Sequence, residues 1–386
     1  MRVGLLASLL SRQATYRRAG VSRYIEALLQ YLPGVAPDLE IIAYTSRTVW
    51  RAARAEFPPA VAWRVTRWPT ERPSVRIAWE QLVAPWATRD CAVIHGPVNV
   101  LPLALARPGV VTVHDLAFVH FPEHYPAAKR WYLRLLTGLS VRRARRVIAV
   151  SETTRRDVVR TYGIAPERIS TIPNGIDADW RRVDDVELER WRRQQGLPER
   201  FLLFVGTVQP RKNLTTLLEA FARLGPEFPW PLFVVGAAGW LDSPIYRRVE
   251  DLGLARRVRF TGYVPPEELR YWYSAATIFI YPSLYEGFGL PLLEAMACET
   301  PVITSNCSAL PEVAGDAAVL VEPTDPLAIA AAIQSLVMDE ERRRMLAQAG
   351  RERARQFTWE RTARETSAVY RTLGEQRSGE RGGEAV

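Results

Sequence analysis

Residues 285–306 read YEGFGLPLLEAMACETPVITSN, and this stretch decides the fold. The apolar run Ile278–Tyr281 before it has the length and composition of a buried strand. Two glycines, Gly287 and Gly289, then form a loop. Pro291 opens a helix predicted over Pro291–Cys298, and Val302–Thr304 reads as the next strand. Strand, glycine loop, helix and strand make a βαβ unit, the building block of a parallel sheet. Glycines just before a helix let the backbone approach a ligand, and the N–H groups at a helix start attract anions. Glu286 lies on the loop and Glu294 one turn inside the helix. Eight positions along an ideal helix correspond to about 12 Å and roughly 80° of rotation. The two carboxylates are therefore placed to touch different parts of one ligand rather than to share a proton. An exposed loop Glu beside a surface Glu is the alternative reading of the pair.

The same alternation runs outward in both directions. In the N-terminal half, strands are predicted at Val3–Ala7, Glu40–Thr45, Ala92–His95, Val110–Val113, Val147–Val150 and near Arg168–Ile172. Helices fit at Val21–Tyr31, Ala127–Leu139 and Glu152–Tyr162. After the turn dipeptide Asn174-Gly175 and a charged connector the pattern restarts, with strands at Phe201–Val205, Leu232–Val235, Val258–Thr261 and Ala318–Val321. Helices are expected at Leu214–Leu224, Pro244–Leu252 and Pro266–Ala275. The predicted class is α/β with two doubly wound Rossmann-like domains facing across a cleft. We place an N-terminal domain at 1–177, a connector at 178–200 and a C-terminal domain at 201–358. One long helix is expected over Leu327–Gln356. A last helix, 359–373, is expected to pack back on the N-terminal domain, and 374–386 to form a disordered tail.

At 386 residues, with 48% hydrophobic and 24% charged residues, the chain fits two soluble domains. No apolar run reaches the ~20 residues that cross a bilayer. MRVGLLASLL at the start reads as a first strand rather than a signal peptide, because no small-residue cleavage site follows. Cys91, Cys298 and Cys307 lack metal-type spacing and are expected to be reduced thiols in a cytoplasmic protein. The net charge of +9 is carried by arginine, Lys129 and Lys212 being the two lysines. It suits an anionic partner, whether nucleotide, nucleic acid or membrane.

Ligands of such sheets bind beyond the C-terminal strand ends, so residues just after strands are the candidates. GTVQPRKN, Gly206–Asn213, follows the first strand of the second domain. Its adjacent Arg211 and Lys212 suit the oxygens of a diphosphate, although a solvated basic turn has the same composition. His114-Asp115 follows Val110–Val113, where His114 is placed either to contact a reacting group or to fill a structural role. His95, His120 and His124 we read as structural. Gly20, within Arg18–Arg23, opens a helix where an acceptor or phosphate can approach. Ser151-Glu152-Thr153 reads as a helix N-cap.

Together these segments resemble glycosyltransferase family 4, the group 1 glycosyltransferases of GT-B fold. The resemblance is carried by Gly20, VHDLAF (113–118), AVSETT (149–154), IPNGID (172–177), GTVQPRKN and EGFGLPLLEA, and it covers most of the chain. It implies a hexosyltransferase that retains anomeric configuration and uses a GDP- or UDP-linked nucleotide sugar as co-substrate, with no cofactor. Arg211 and Lys212 would bind the donor diphosphate and Gly206 would border it. Glu286 would sit by the donor sugar, Glu294 would bind the ribose hydroxyls and His114 would lie near the reacting centre. Backbone groups around Gly287, Phe288, Gly289 and Leu290 would support sugar and phosphates. VHDLAF and the 125–139 segment are most similar to bacterial mannosyltransferases of surface-polysaccharide pathways. Mannose is accordingly the expected sugar, and a glycan or lipid-linked hydroxyl the expected acceptor.

Asp177-Ala178-Asp179 has a metal-binding form, but it lies at the expected inter-domain crossing, far in sequence from the phosphate loop, and we read it as non-metal. Residues 47–86 combine Trp50, Trp63, Trp68, Trp79 and Trp86 with seven arginines between 47 and 76. Either this forms a peripheral contact with an anionic membrane on its inner face, or the tryptophans are core and the arginines a solvated surface. Arg142, Arg143, Arg145 and Arg146 form a second basic cluster. A sugar-nucleotide epimerase or hydrolase shares the architecture but needs no acceptor. A nucleic-acid-binding protein is suggested by basicity alone and has no matching motif.

Overall fold

The computed structural model describes residues 1–11, 20–237 and 243–383. Among these, two compact units are distinguished, one made of Met1–Gly175 with the segment from Trp359 onward, the other of Ile176–Thr358. The first holds strands β1 (Arg2–Leu6), β2 (Glu40–Ser46), β3 (Ala62–Thr66), β4 (Val93–Gly96), β5 (Gly109–Val113), β6 (Arg146–Ala149) and β7 (Ile169–Thr171). The second holds β8 (Leu202–Val205), β9 (Leu232–Val235), β10 (Val258–Gly262), β11 (Ile278–Tyr281), β12 (Val302–Ser305) and β13 (Val319–Val321).

The strands pair in parallel, in the order β3-β2-β1-β4-β5-β6-β7 in one sheet and β10-β9-β8-β11-β12-β13 in the other. Most strands are buried on both faces, hence their unbroken apolar sequences. Each order reverses direction once, between β1 and β4 and between β8 and β11. Such a switch point splays the loops that follow the two strands and opens a crevice at their C-terminal ends. The architecture is thus the expected pair of doubly wound α/β domains.

Local chemistry sets the element boundaries. The Ser151 hydroxyl caps Glu152–Tyr162 by accepting from Thr154 N at 3.0 Å, and left-handed Gly163 ends the same helix. The single helix expected over Leu327–Gln356 is in fact two, Pro326–Met338 and Glu340–Ala354. Asp339 separates them by leaving helical geometry and accepting from Arg342 N at 2.8 Å, a cap that an apolar pattern does not reveal.

Three further expectations change. Strand β3 was missed because it is an edge strand, half-exposed along its length and embedded in the Arg/Trp-rich segment. Residues 178–200 are not a separate connector. Asp185–Gln194 forms a helix within the second unit, Trp191 packs on Trp272, and Val183 N donates to Ser274 Oγ at 3.1 Å. The last helix runs Trp359–Gly383, so the expected tail is helical through Gly383. The Arg/Glu-rich sequence has good helix formers and no proline there, while 384–386 lie outside the described residues.

That last helix lies against Gly20–Val35 in the first unit. Arg371 Nη2 donates to Asp38 Oδ1 at 2.6 Å, and the fully buried Tyr370 hydroxyl meets His95 Nδ1 at 2.6 Å. No helix among the described residues is long and apolar enough to cross a membrane. The Trp-rich segment divides: Trp79 is core, whereas Trp68 and Trp86 are exposed.

Candidate active site

Strands β8 and β11 are neighbours at the switch point of the second unit, with Ile278 beside Leu202 and Phe279 beside Leu203. The loops leaving them, 206–213 and 282–289, are therefore brought together. Backbone and side-chain bonds stitch them. Leu284 N donates to Arg211 O at 2.9 Å, and Asn213 Nδ2 donates to Pro282 O at 3.0 Å. Arg211 Nη1 also donates to Tyr285 O. Beside the first loop, Gly236 abuts the Gly206 carbonyl so closely that a Cβ at position 236 would collide with it.

Glu286 is the centre of this junction. Lys212 Nζ lies 2.6 Å from its Oε1 and Arg211 Nη1 lies 2.8 Å from its Oε2. Oε1 also accepts from the Tyr281 hydroxyl at 2.9 Å and from Ser283 Oγ at 2.7 Å, while Glu286 N donates to Ser308 Oγ at 3.1 Å. Lys212 Nζ donates to the Tyr281 hydroxyl as well. Burial works to raise the carboxyl pKa, but the charges of Arg211 and Lys212 outweigh it and hold the group down to about 2. Burial and the Glu286 charge push the Tyr281 hydroxyl the other way, well above its ordinary value.

The helix after the loop is Leu290–Ala297, one residue earlier than expected, with Gly289 as N-cap at φ 106°. A side chain at 289 would be strained by that backbone, and its Cβ would come 2.8 Å from Leu310 Cδ2. Gly287, Phe288 and Leu290 are all buried around it. Glu294 is 3% exposed and accepts from the Tyr273 hydroxyl at 3.1 Å. The reading of the glutamates as an exposed loop residue and a surface residue is thereby overturned, since Glu286 is 8% exposed. Because the helix begins only at Leu290, the spacing of the pair cannot be taken from eight helical positions. Four of them are loop.

Within the first unit, His114 directly follows β5. Its backbone N donates to Asn99 Oδ1 at 3.0 Å and its ring Nε2 donates to Pro97 O at 2.8 Å. A carbonyl can only accept, so Nε2 carries the proton, and burial pulls the ring pKa below its ordinary value. The Tyr24 ring meets His114 edge-on at 4.8 Å. Pro97 follows β4, so His114 is tied to the loop beside the β1/β4 switch point. Gly20 is the first residue of Gly20–Val35, and the preceding Arg18-Ala19 lie outside the described residues. His95 is structural as read, fully buried between Tyr370 and Thr112, the latter 2.8 Å from Nε2. His120 lies 3.2 Å from Asp157 and His124 stacks on Phe121. No group of three or more metal-ligating side chains occurs among the described residues.

Sequence reasoning missed Tyr273, Tyr281, Ser283 and Ser308. Tyr281 ends an apolar strand and Tyr273 lies in the last turn of the amphipathic helix Pro266–Ala275, so both pass for core aromatics until the carboxylates beside them are seen.

Comparison with known proteins agrees with this geometry. The sequence model for glycosyl transferases group 1 matches residues 186–353, and that for Glycosyltransferase Family 4 matches residues 18–180. The O-antigen chain mannosyltransferase B of Escherichia coli is 36% identical over 293 residues, covering 75% of this chain and 77% of the relative. The O-antigen chain mannosyltransferase RfbU of Salmonella typhimurium is 31% identical, covering 61% and 62%. Among solved structures, sucrose-phosphate synthase from Thermosynechococcus elongatus superposes with a TM-score of 0.79 at 25% identity, covering 97% of this chain and 99% of that one. The chain belongs to glycosyltransferase family 4, the group 1 glycosyltransferases of GT-B fold.

Proposed function

We propose that the chain is a retaining hexosyltransferase that moves mannose from a nucleoside-diphosphate sugar to a hydroxyl of a glycan or lipid-linked acceptor. The observation that carries this reading is the gathering of Arg211 and Lys212 on one buried carboxylate beside a helix start. One negative charge between two cations leaves a net positive charge at a switch-point crevice. A diphosphate is the ligand such a site favours.

The chemistry follows. The anomeric C–O bond to the diphosphate breaks, a new C–O bond forms to the acceptor oxygen on the same face, and the acceptor proton passes to a leaving phosphate oxygen. Charge builds on that phosphate, where Arg211, Lys212 and the N–H groups before Leu290 stabilise it. Glu286, held near pKa 2 and bonded on both oxygens, is neither a proton donor at neutral pH nor an available nucleophile. Its part is to hold the two cations and to accept from a sugar hydroxyl. Glu294 takes the ribose hydroxyls, and His114 contacts the donor sugar near the reacting carbon. The reading assigns the charge stabilisation to side chains and backbone, with no metal and no cofactor. EDTA would leave turnover intact, whereas loss restored by Mn²⁺ would put a metal on Asp177 and Asp179.

Mannose rests on the names of the two O-antigen relatives. The test is incubation with GDP-mannose and with UDP-glucose, each with and without a mannose-terminated oligosaccharide, followed by the anomeric configuration of the product. Acceptor-dependent release of GDP with an α-mannosyl product supports the proposal. UDP release instead changes the sugar, and acceptor-free conversion of the donor identifies an epimerase or hydrolase.

A further inference from the structure

Among the described residues, the His114 ring makes its hydrogen bond through Nε2, to Pro97 O at 2.8 Å. One bond fixes a point on an imidazole but not its plane, because the outer torsion of a histidine side chain has broad minima. The plane must be set by what packs on the ring. Tyr24 packs there, with ring centroids 4.8 Å apart and planes at 84°. This perpendicular arrangement is a preferred one between aromatic rings. It selects one plane for the imidazole, and with it the direction of Nδ1, which carries the lone pair while Nε2 holds the proton.

Tyr24 is itself anchored from several elements. It lies one turn inside the helix Gly20–Val35 and is fully buried. The start of that helix is tied to the chain after β1, since Ser22 Oγ accepts from Ser11 N at 2.9 Å. The Trp359 ring, buried at the start of the last helix, stands 6.3 Å from the Tyr24 ring at 63°. The Tyr24 hydroxyl lies 3.0 Å from Oγ1 of Thr112, a fully buried residue of β5 two positions before His114. The same Oγ1 lies 2.8 Å from His95 Nε2, and His95 Nδ1 meets the Tyr370 hydroxyl at 2.6 Å. Four buried side chains, from β4, β5, the Gly20–Val35 helix and the last helix, thus form one chain of hydrogen bonds. A satisfied network of this kind, away from water, is rigid.

Filling the space beside Trp359 needs no hydroxyl. A phenyl ring has the same shape and avoids the cost of taking a phenol out of water. What the hydroxyl adds is a fixed place for the ring that faces His114.

We infer that Tyr24 is the positioning residue of His114: its ring, anchored through Thr112 and backed by Trp359, sets the plane of the imidazole and the aim of Nδ1. Tyr24 is fully buried and acts through His114 alone. The inference rests on the role proposed for His114 at the donor sugar.

The experiment compares Tyr24→Phe, Tyr24→Met and His114→Ala, and each Tyr24 change combined with His114→Ala, by kcat and by KM for the donor sugar nucleotide. Tyr24→Phe keeps the ring and loses its anchor, and is expected to lower kcat about threefold with KM unchanged. Tyr24→Met fills the space without an aromatic ring and is expected to lower kcat about tenfold or more. In the His114→Ala background both effects are expected to vanish, because the group being aimed is gone. Wild-type kcat in Tyr24→Phe, a rise in KM without a fall in kcat, or the same loss with and without His114, overturns the inference. The Phe change removes one hydroxyl and keeps the test open if the Met variant does not fold. Wild-type turnover in His114→Ala removes the role proposed for that histidine instead. The positioning is then decided by ¹⁵N NMR of histidine-labelled protein, with His114 assigned by its loss in His114→Ala. A single Nε2-protonated tautomer in the wild type that becomes a mixture in the Tyr24 variants supports it, and an unchanged tautomer pattern overturns it.

Discussion

Lys212 Nζ sits 2.6 Å from Glu286 Oε1, across the gap between the loops that follow two adjacent strands. The contact is buried, so each partner is the other's condition for being there. Removing Glu286 takes the shared anion from two buried cations, whereas removing Lys212 leaves the carboxylate to Arg211. Lys212→Ala is expected to lower kcat by at least about 100-fold, because charge on the leaving diphosphate then has one cation fewer. Glu286→Ala is expected to lower kcat comparably and also to cost about 3–5 kcal/mol of stability, since Arg211 and Lys212 lose their shared anion. Steady-state kinetics and denaturant unfolding check the two effects. Wild-type turnover in Lys212→Ala would refute the diphosphate role.

Glu294 accepts from the Tyr273 hydroxyl at 3.1 Å. Its replacement by Ala is expected to raise the KM for the donor about 10-fold or more, with a smaller change in kcat. Tyr273→Phe removes a hydrogen bond to a charged acceptor, at about 1.5–3 kcal/mol. A fall in kcat with unchanged KM for Glu294→Ala would move that residue to the reacting centre.

Gly289 stands at φ 106° with Leu310 Cδ2 at 2.8 Å from where a Cβ would be. Gly289→Ala is expected to destabilise by about 1–3 kcal/mol and to shift the start of the helix Leu290–Ala297. Thermal unfolding reads the first effect, and the affinity for GDP or UDP reads the second. An unchanged melting temperature would show that the loop relaxes freely.

His95 has a pKa depressed to about 3, through burial first and the neighbouring His114 second. In the unfolded chain its ordinary value is 6.5. Below pH 6.5 the unfolded chain takes up a proton that the folded one refuses, so stability is complete above 6.5 and declines as pH falls toward 3. The loss approaches about 1.4 kcal/mol per pH unit. His95→Gln lacks the group and is expected to start less stable at pH 7.5. The gap to wild type should close by about 2 kcal/mol at pH 5. A constant gap across that range would show His95 protonated in the fold.

The parts of this molecule legible in sequence are those fixed by local pattern. Buried parallel strands announce themselves as short apolar runs, and β9 and β11 begin and end where such a run does. Pro266 and Pro291 mark helix starts because a missing N–H is harmless there. Legibility failed where a single side chain overrides the pattern, as Asp339 does in splitting a helix. It failed also where an edge strand such as β3 needs no apolar sequence. The site divides the same way. Arg211, Lys212, Glu286 and Glu294 stand out as charges at strand ends and helix starts. Tyr273, Tyr281 and Ser308 act only through their distance to those charges, and distance between segments is not written in spacing.

The pairing of His95 with Tyr370 has a consequence for biosynthesis. The two residues are 275 positions apart, so at 5–20 residues per second Tyr370 emerges from the ribosome roughly 15–55 s after His95. Through that interval the whole second unit is being made, while the nascent first sheet holds a buried imidazole without its phenol and a helix face on Gly20–Val35 without its cover. The first unit is therefore the first begun and the last completed, and a chain stopped before Trp359 leaves it unfinished.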